Sequence, residues 1–257
     1  MGQGSAPSDD QVGPSEAVAG NNTAYGVDGL GGHTLELLEA AGSYNRWIVD
    51  FLRPYLGKTN LELGAGRGTL LDIVGKTHNV VPFEISEPQR QAIERRFEGH
   101  PRVSPCRSDI FNCEDWGTFD CIYSANVLEH IEQDGSMLAH CSRLLRVGAW
   151  CVAFVPAHQW LYSSFDRKIG HYRRYGRNDI LRLKRVESAG AALQLRHVRF
   201  VNLPGALGWL VKMRLLARNS VSSIDATIVG SIVPLIRAID TLRLPFGQSA
   251  VFVWQRI

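Results

Sequence analysis

The chain has 257 residues, of which 45% are hydrophobic and 21% charged, and its formal net charge at pH 7 is +3. This composition is typical of an ordinary soluble globular protein, long enough for one large α/β domain or two small ones. The small positive charge is well short of that of a dedicated nucleic-acid-binding protein, so no nucleic-acid partner is expected.

The predicted elements begin after a polar leader. Residues 1–24 are rich in Gly, Ser, Pro and Asn, a composition typical of a flexible tail. From Leu35, apolar residues recur at three- and four-residue spacing, which predicts a helix ending at Gly57. Strands and helices then alternate. Strands are predicted over TNLEL, NVVPFEIS, VSPCRSDI, FDCIYSAN, AWCVAFVPA, ALQLRHVRFVN and SAVFVWQRI. Helices are predicted over TLLDIVGK, EPQRQAIERRFEG, MLAHCSRLLRVG, RNDILRLKRVESAG (with Gly190 as its stop), PGALGWLVKMRLLARN and IDATIVGSIVPLIRAIDTLRL.

This alternation predicts an α/β fold, a doubly wound, seven-stranded and mostly parallel sheet with an N-terminal helical cap. We expect one domain over residues 25–257. It would comprise the cap at 25–57, a cofactor-binding half at 58–155, and a substrate-side half at 156–257 with a helical insertion at 205–243. Ligands of such sheets bind beyond the carboxyl ends of the strands, so the loops that follow the strands are the expected site.

The first of these loops runs LELGAGRG through residues 61–68. Glycines let a backbone turn tightly and approach a ligand closely. The spacing is GxGxG rather than the GxGxxG of NAD-binding folds, and Glu62 precedes the first glycine at a position suited to a cationic ligand. A purely structural turn is the weaker alternative, given three glycines at this spacing. Ligand contacts are therefore expected at Glu62, Gly64, Ala65, Gly66 and Gly68.

The next three loops supply further polar groups. Glu84 ends the second strand, where an acid accepts hydrogen bonds from ribose hydroxyls. Asp109 suits an adenine amino group, with Ile110 along the ring, although a helix N-cap explains Asp109 equally well. Asn126 closes the fourth predicted strand beside the expected reacting centre. His130 either contacts the ligand or is a packed histidine.

These four loops resemble class I S-adenosylmethionine-dependent methyltransferases. LELGAGRG resembles their glycine loop, and NVLEHI resembles the signature after their fourth strand. VPAHQWLYSSFDRKIGHYRRYG and NLPGALGW resemble a bacterial branch of the methyltransferase-11/12 type, which modifies small molecules or glycan intermediates. The resemblance covers roughly residues 25–257. It implies a Rossmann-like methyltransferase fold, S-adenosylmethionine as cofactor, and cofactor contacts at Glu62, Gly64, Gly66, Glu84, Ile85, Asp109, Ile110 and Asn126. Tyr25 and Arg46 are expected to meet the cofactor's carboxylate.

The segment FDRKIGHYRRYG, residues 165–176, follows the fifth predicted strand and is expected to cover the reacting centre as a lid. His171 is the first candidate for a general base, oriented by Asp166, and an Asp166 carboxylate should raise its pKa. Tyr25, Tyr172 and His158 are the next candidates. A structural interpretation competes, in which Asp166 pairs with Arg173 or Arg174 and the tyrosines pack on the sheet.

Aromatic residues around this segment are expected to line the acceptor site, although each alone is more often part of a core. They are His158, Trp160, Tyr162, Phe165, Tyr172 and Tyr175. The predicted acceptor is a small molecule, either an aromatic natural product such as an indole-like one or a lipid-linked sugar. The apolar faces of the helices within 205–243 complete its wall, or contact a membrane surface or a second subunit.

Two other functional classes fit less well. An NAD-dependent oxidoreductase predicts a GxGxxG loop, which is absent, and a non-catalytic binding module would lack polar groups over the methyl. The five cysteines form no CxxC pair, so no disulfide framework and no metal site are predicted, and a reducing cytoplasm is expected. The start of the chain lacks the apolar region of a signal peptide, and no apolar run reaches 18 residues, so no transmembrane segment is expected.

Overall fold

The structure is a computed structural model and describes residues 42–215 and 223–257, with side chains outside 213–229. The predicted tail at 1–24, Tyr25 and the first part of the predicted cap lie outside the described residues. Within the described residues, the cap consists of helix α1 and a short 3₁₀ turn, and the alternating strands and helices follow.

Seven strands form one sheet in the order β2-β1-β3-β4-β7-β6-β5. The strands are β1 Thr59–Leu63, β2 Asn79–Phe83, β3 Phe119–Ala125, β4 Leu145–Pro156, β5 Arg185–Ser188, β6 Ala191–Val201 and β7 Ser249–Arg256. The α-helices are α1 Gly42–Leu52, α2 Leu71–Val74, α3 Glu87–Arg96, α4 Asp134–Leu144, α5 Ser164–Lys168, α6 Arg177–Arg182, α7 Leu203–Trp209 and α8 Ser223–Asp240. A π-helical turn, Leu210–Leu215, extends α7.

The seven-stranded Rossmann-like sheet is confirmed, but it is mixed. The first four strands pair in parallel, β2 with β1, β1 with β3 and β3 with β4. The other three pairings, β4 with β7, β7 with β6 and β6 with β5, are antiparallel. Five strands therefore share one direction while β5 and β7 run against them. The parallel half creates the edge of carboxyl ends at which ligands of such sheets bind.

Two predicted elements were wrong. The segment VSPCRSDI makes only isolated bridges to β2, through Val103 and Arg107, because it is polar and little of it is buried. Of the helix predicted over RNDILRLKRVESAG, only the first part is helical and forms α6. The later residues Arg185–Ser188 form the edge strand β5. Gly190 does not stop a helix. Ala189 and Gly190 have positive φ values of +48° and +79°, respectively, which suits the two-residue hairpin turn joining β5 to β6.

Helices on both faces enclose the central strands in two apolar layers. On one face, Leu61, Leu63 and Ile122 are buried in one cluster with Met137 and Leu138 of α4. On the other, α1 buries Trp47, whose ring packs edge-on against Phe154 at 5.6 Å between centroids. This packing fixes α1 beside the carboxyl end of β1. No helix among the described residues has both the length and the apolarity needed to cross a bilayer.

Candidate functional site

A cleft opens at the carboxyl ends of β1 and β3, where the sheet topology predicts a ligand site. It receives residues from α1, from the loop after β1 and from the end of β3. The lining residues are Asn45, Ile48, Glu62, Gly64, Ala65, Gly66, Arg67, Thr69, Leu70, Ala125 and Asn126. The structure thus brings together five predicted residues, Glu62, Gly64, Ala65, Gly66 and Asn126, in one concave surface.

The glycine loop has a backbone that few other residues would adopt. Gly64, Gly66 and Gly68 have φ values of +69°, +56° and +82°, in the left-handed region that favours glycine. A Cβ on Gly64 would lie 2.6 Å from Cγ2 of Val127, so the loop also packs closely against the segment after β3. Glycine is therefore required here by both conformation and contact.

The loop's amide groups are already engaged within the protein. The N–H groups of Gly64 and Ala65 donate to the carbonyl of Phe83, and that of Gly68 donates to the carbonyl of Ala65. Gly66 donates to Oε2 of Glu84 at 2.8 Å. A pyrophosphate cradle instead aims such donors at the ligand. The cleft therefore suits a ligand that approaches the glycines without needing their amides.

Glu84 joins the ends of β1 and β2. Its second carboxylate oxygen, Oε1, accepts from the N–H of Ser86 at 2.9 Å, so the side chain bridges two loops. Burial raises its pKa, while these backbone donors and Arg90 act in the opposite direction. Each carboxylate oxygen accepts more than one hydrogen bond. Glu84 therefore braces the glycine loop and retains acceptor capacity for a ligand hydroxyl.

Glu62 is a buried acid in the cleft wall. Its Oε2 accepts a hydrogen bond from the hydroxyl of Tyr123 at 2.8 Å. Burial raises the pKa of Glu62 to about 8, and the hydrogen bond from Tyr123 only partly opposes that effect. A cation in the cleft would favour the ionised form. The cleft wall thus contains a buried acid that a positively charged ligand would ionise.

The remaining predicted cofactor residues lie outside the cleft lining. Asp109 is exposed, and its carboxylate accepts from the N–H groups of Phe111 and Asn112 within a turn. No helix of the described residues begins there, so Asp109 is not a helix N-cap. Ile110 is buried in the core, and Ile85 is partly exposed beside Glu84. Arg46 is exposed on α1, whereas its neighbour Asn45 faces the cleft.

On the acceptor side, a buried network holds the 165–176 segment in place. Asp166 is fully buried and Oδ1 accepts from Nδ1 of His171 at 3.0 Å and from Nε of Arg174 at 2.8 Å. Its Oδ2 accepts from the backbone and hydroxyl of Ser163, both at 2.8 Å. The competing structural interpretation is thus correct for Asp166, which pairs with Arg174 and also orients His171.

The pKa of His171 is lowered, contrary to the prediction. Burial has the largest effect and lowers it, because the charged imidazolium loses water. Asp166 acts in the expected raising direction but does not prevail, and Arg174 adds to the lowering. The imidazole is therefore neutral near pH 7. With Nδ1 as donor to Asp166, its lone pair is on Nε2.

The signature after β3 contributes two residues next to this imidazole. The ring of His130 meets that of His171 edge-on, with centroids 4.4 Å apart, and its Nδ1 lies 3.3 Å from the carbonyl oxygen of Gly170. Glu129 is fully buried, and Nε2 of His171 lies 3.8 Å from its Oε1. Burial raises the pKa of Glu129 to about 8, with Arg174 acting in the lowering direction.

The predicted aromatic wall divides into packed and exposed members. Tyr175 and Phe165 are buried, and the Tyr175 hydroxyl donates to Asp134 at 2.9 Å. Trp160 and Tyr172 keep 50% and 39% of their surface exposed.

Two further predicted wall residues make local contacts. His158 stacks on Phe200, with ring centroids 4.6 Å apart. The Tyr162 hydroxyl donates to the carbonyl of His171 at 2.6 Å. The residues placed to meet a ligand are thus fewer than predicted.

Sequence reasoning missed Asn45 and Glu129. Asn45 belongs to a helix whose rotation about its axis no local pattern specifies. Glu129 stands inside the quoted NVLEHI signature, but its partner His171 is 42 residues away (171 − 129). An acid and a histidine adjacent in that signature were the available signal.

Comparisons with known proteins agree with this geometry. Residues 61–151 match the family described as "Methyltransferase domain". A 37.1 kDa protein in a transposon of Streptomyces fradiae, described as uncharacterized, is 32% identical over 128 residues, covering 48% of this chain and 37% of that protein. The ubiquinone biosynthesis O-methyltransferase of Thiobacillus denitrificans is 29% identical over 111 residues, covering 41% of this chain and 47% of that protein. The chain thus spans less than half the length of either curated relative.

Solved structures share the fold. The geranyl diphosphate C-methyltransferase of Streptomyces coelicolor, in complex with S-adenosyl-L-homocysteine, superposes with a TM-score of 0.55 at 16% identity, covering 81% of this chain and 74% of that chain. The phosphoethanolamine N-methyltransferase 1 of Haemonchus contortus superposes with a TM-score of 0.55 at 15% identity, covering 86% and 43%. Residues 61–151 thus match the methyltransferase-domain family, and the chain shares the fold of these two solved methyltransferases.

Proposed function

We propose that this chain is an enzyme that transfers a methyl group from S-adenosylmethionine to a small-molecule acceptor. The observation that carries the proposal is the cleft after β1, in which a buried acid faces a glycine loop whose amides are already bonded within the protein. Such a cleft fits a ligand that is cationic and has no phosphate groups. S-adenosylmethionine supplies a methyl group on a positively charged sulfonium that is itself a good leaving group.

In this proposal, different residues of the cleft contact different parts of the cofactor. Gly64 and Gly66 allow close approach, while Glu62 faces its positive charge. Glu84, beside the glycine loop, accepts from its ribose hydroxyls. Asn126, whose backbone is in the left-handed region with φ of +56°, closes β3 at the side where the acceptor enters. These residues orient the cofactor and restrict water, which is most of what such a transfer requires.

We propose that the acceptor molecule binds against residues 158–175. A general base must reach the acceptor proton within hydrogen-bonding distance. Nε2 of His171, however, lies beside Oε1 of the buried Glu129. We therefore propose that Asp166 positions His171 against Glu129 and His130, and that His171 is not an isolated general base. Tyr25, the other predicted catalytic residue, lies outside the described residues.

Two acceptor classes have support. The exposed rings of Trp160 and Tyr172 favour a flat aromatic molecule, which would stack on them. The exposed side chains of Leu207, Val211 and Phe246 instead favour a lipid-linked sugar whose tail lies along the helical insertion. The named relatives methylate carbon, nitrogen and oxygen, so they favour no acceptor atom. We rank the aromatic acceptor first, and we propose a cytoplasmic enzyme, since all five cysteines are free thiols.

Calorimetry with the purified chain tests the cofactor directly. We expect binding of S-adenosylmethionine and S-adenosylhomocysteine and none of NAD. Labelled methyl transfer to panels of soluble aromatic compounds and of lipid-linked sugars in vesicles then separates the acceptor classes. Binding of NAD without binding of S-adenosylmethionine would overturn the proposal.

A further inference from the structure

We propose that Glu129, His130 and His171 form a binding site for a divalent transition-metal cation of the Zn²⁺ type. Each residue offers one ligand atom, and the three atoms lie within 4.8 Å of one another. Two imidazoles and one carboxylate are a donor set that Zn²⁺ and similar cations accept. The inference goes beyond the proposed methyl transfer and does not depend on it.

The first support is the state of Glu129. Its side chain is fully buried, and neither carboxylate oxygen has a hydrogen-bond partner on another described residue, while its own backbone N–H favours the ionised form. Burying a carboxylate without a partner is costly, so such groups are normally paired or coordinate a metal. Arg174 lies near enough to favour the ionised form, but its Nε bonds to Asp166, and its buried Nη1 has no hydrogen bond to Glu129 or to any other described residue. A cation between Glu129 and the imidazoles would supply the missing partner.

The second support is the orientation of the imidazoles. Metal-binding histidines usually donate their other ring N–H to a carboxylate or a backbone carbonyl, which fixes the ring and its tautomer. His171 donates from Nδ1 to Asp166, which leaves the lone pair on Nε2, the atom 3.8 Å from Oε1 of Glu129. Nδ1 of His130 faces the carbonyl of Gly170, which can only accept, so its lone pair is likewise on Nε2. Both rings thus have the arrangement of metal ligands.

The third support is distance. Zn²⁺ binds nitrogen and oxygen ligands at about 2.0–2.2 Å, so two ligand atoms in tetrahedral coordination lie about 3.4 Å apart. The separation of 3.8 Å between Nε2 of His171 and Oε1 of Glu129 is close to this value. All three ligand atoms lie within 4.8 Å of one another, so coordination requires them to approach by at most about 1.4 Å. Three protein ligands leave one position open, as in catalytic rather than structural zinc sites. Glu129 follows Asn126, which lines the cleft after β1, by three residues, so the proposed metal site lies near that cleft.

Metal titration of the untagged full chain, after removal of bound metal with a chelator, tests the site. We expect one equivalent of Zn²⁺ by calorimetry, and visible absorption bands of Co²⁺ characteristic of low coordination number. Glu129→Gln and His171→Asn should each weaken Zn²⁺ binding by at least about a hundredfold. Asp166→Asn should weaken it by about ten- to a hundredfold, because it only positions His171. His197→Asn, at an exposed histidine bonded to Tyr55, should bind as the wild type does.

Two results would overturn the inference. One is the absence of Zn²⁺ and Co²⁺ binding by the wild-type chain, in which case Glu129 is solvated by a buried water only. The other is wild-type affinity in Glu129→Gln and His171→Asn. Where a variant fails to fold, the Co²⁺ spectrum of the wild-type chain decides. S-adenosylmethionine titrated into the same samples separates the outcomes: cofactor binding without metal rejects only this site, and metal binding without cofactor rejects only the proposed function.

Discussion

The cleft after β1, proposed to hold the cofactor, differs from the buried network around Asp166, on the proposed acceptor side, in how its buried polar groups are hydrogen-bonded. In the cleft, the amides of the glycine loop bond to Phe83, Ala65 and Glu84, so the loop is complete before any ligand arrives. On the proposed acceptor side, Asp166 accepts four hydrogen bonds, yet the adjacent Glu129 has no hydrogen-bond partner on another residue in the described part of the chain. The first region is a preformed surface, whereas the second surrounds a buried carboxylate without such a partner.

The comparison predicts that stability and binding depend on different halves of the site. Backbone bonds made within a local loop tolerate side-chain changes elsewhere. A buried charge network does not, because removing one member leaves another uncompensated in a medium of low dielectric. Mutations on the acceptor side should therefore affect folding first, and mutations in the cleft should affect ligand binding first.

The largest expected effect is that of Asp166→Ala. It leaves the buried guanidinium of Arg174 without its partner, so the free energy of unfolding should fall by about 3–5 kcal/mol. Asp115→Ala is the matched control, because its pair with Arg107 is exposed and should contribute less than about 1 kcal/mol. Urea denaturation of both variants measures the difference. Equal losses would mean that the acceptor-side network is not the more fragile region.

The next effect is that of Gly66→Val in the cleft. A valine at φ of +56° is strained, and its side chain would enter the space that the cofactor needs, so affinity for S-adenosylmethionine should fall by more than about a hundredfold. Gly99→Val carries a similar strain at φ of +67° but meets nothing within 4 Å, so it should bind the cofactor normally. Calorimetry on both folded variants tests this. Normal binding by Gly66→Val would remove the loop from the site.

The same contrast explains what the sequence predicted well. Glu62, Gly64, Ala65, Gly66 and Asn126 line one cleft, because each lies at or directly after the end of a strand and parallel strands align their carboxyl ends. The strands themselves were recognisable as apolar runs. Two edge segments were mistaken. VSPCRSDI was predicted as a strand but makes only isolated bridges to β2. The strand β5 was assigned to a helix, because a four-residue edge strand has too little periodicity to be distinguished from one.

The acceptor side was predictable only in outline. The sequence indicated that Asp166 and His171 belong together, which is correct, but not that burial would outweigh the carboxylate in setting the pKa of His171. It gave no sign that Glu129 lies beside them, because that contact depends on how the segment after β3 packs under the 165–176 loop. Burial and long-range packing are properties of the whole fold, which local patterns do not specify.

The smallest expected effect concerns the protonation state of Glu62. It tests whether this part of the preformed cleft changes when the cofactor binds. Burial raises the pKa of Glu62 to about 8, so near pH 7 the acid is protonated before a ligand binds. A cationic cofactor favours the ionised form, so binding should release this proton below pH 8. Affinity should therefore rise with pH, by up to about tenfold per unit, and level off above about pH 8. Glu62→Gln cannot release the proton, and its affinity should lack this part of the rise. Because the cofactor's own amino group titrates alike in both proteins, the ratio of the two affinities isolates Glu62 together with its electrostatic interaction with Glu84. Calorimetry between pH 6 and 9 in buffers of different ionisation enthalpy measures both the ratio and the proton released. A constant ratio across that range would show that Glu62 does not sense the cofactor's charge, and that the cleft binds through shape and backbone alone.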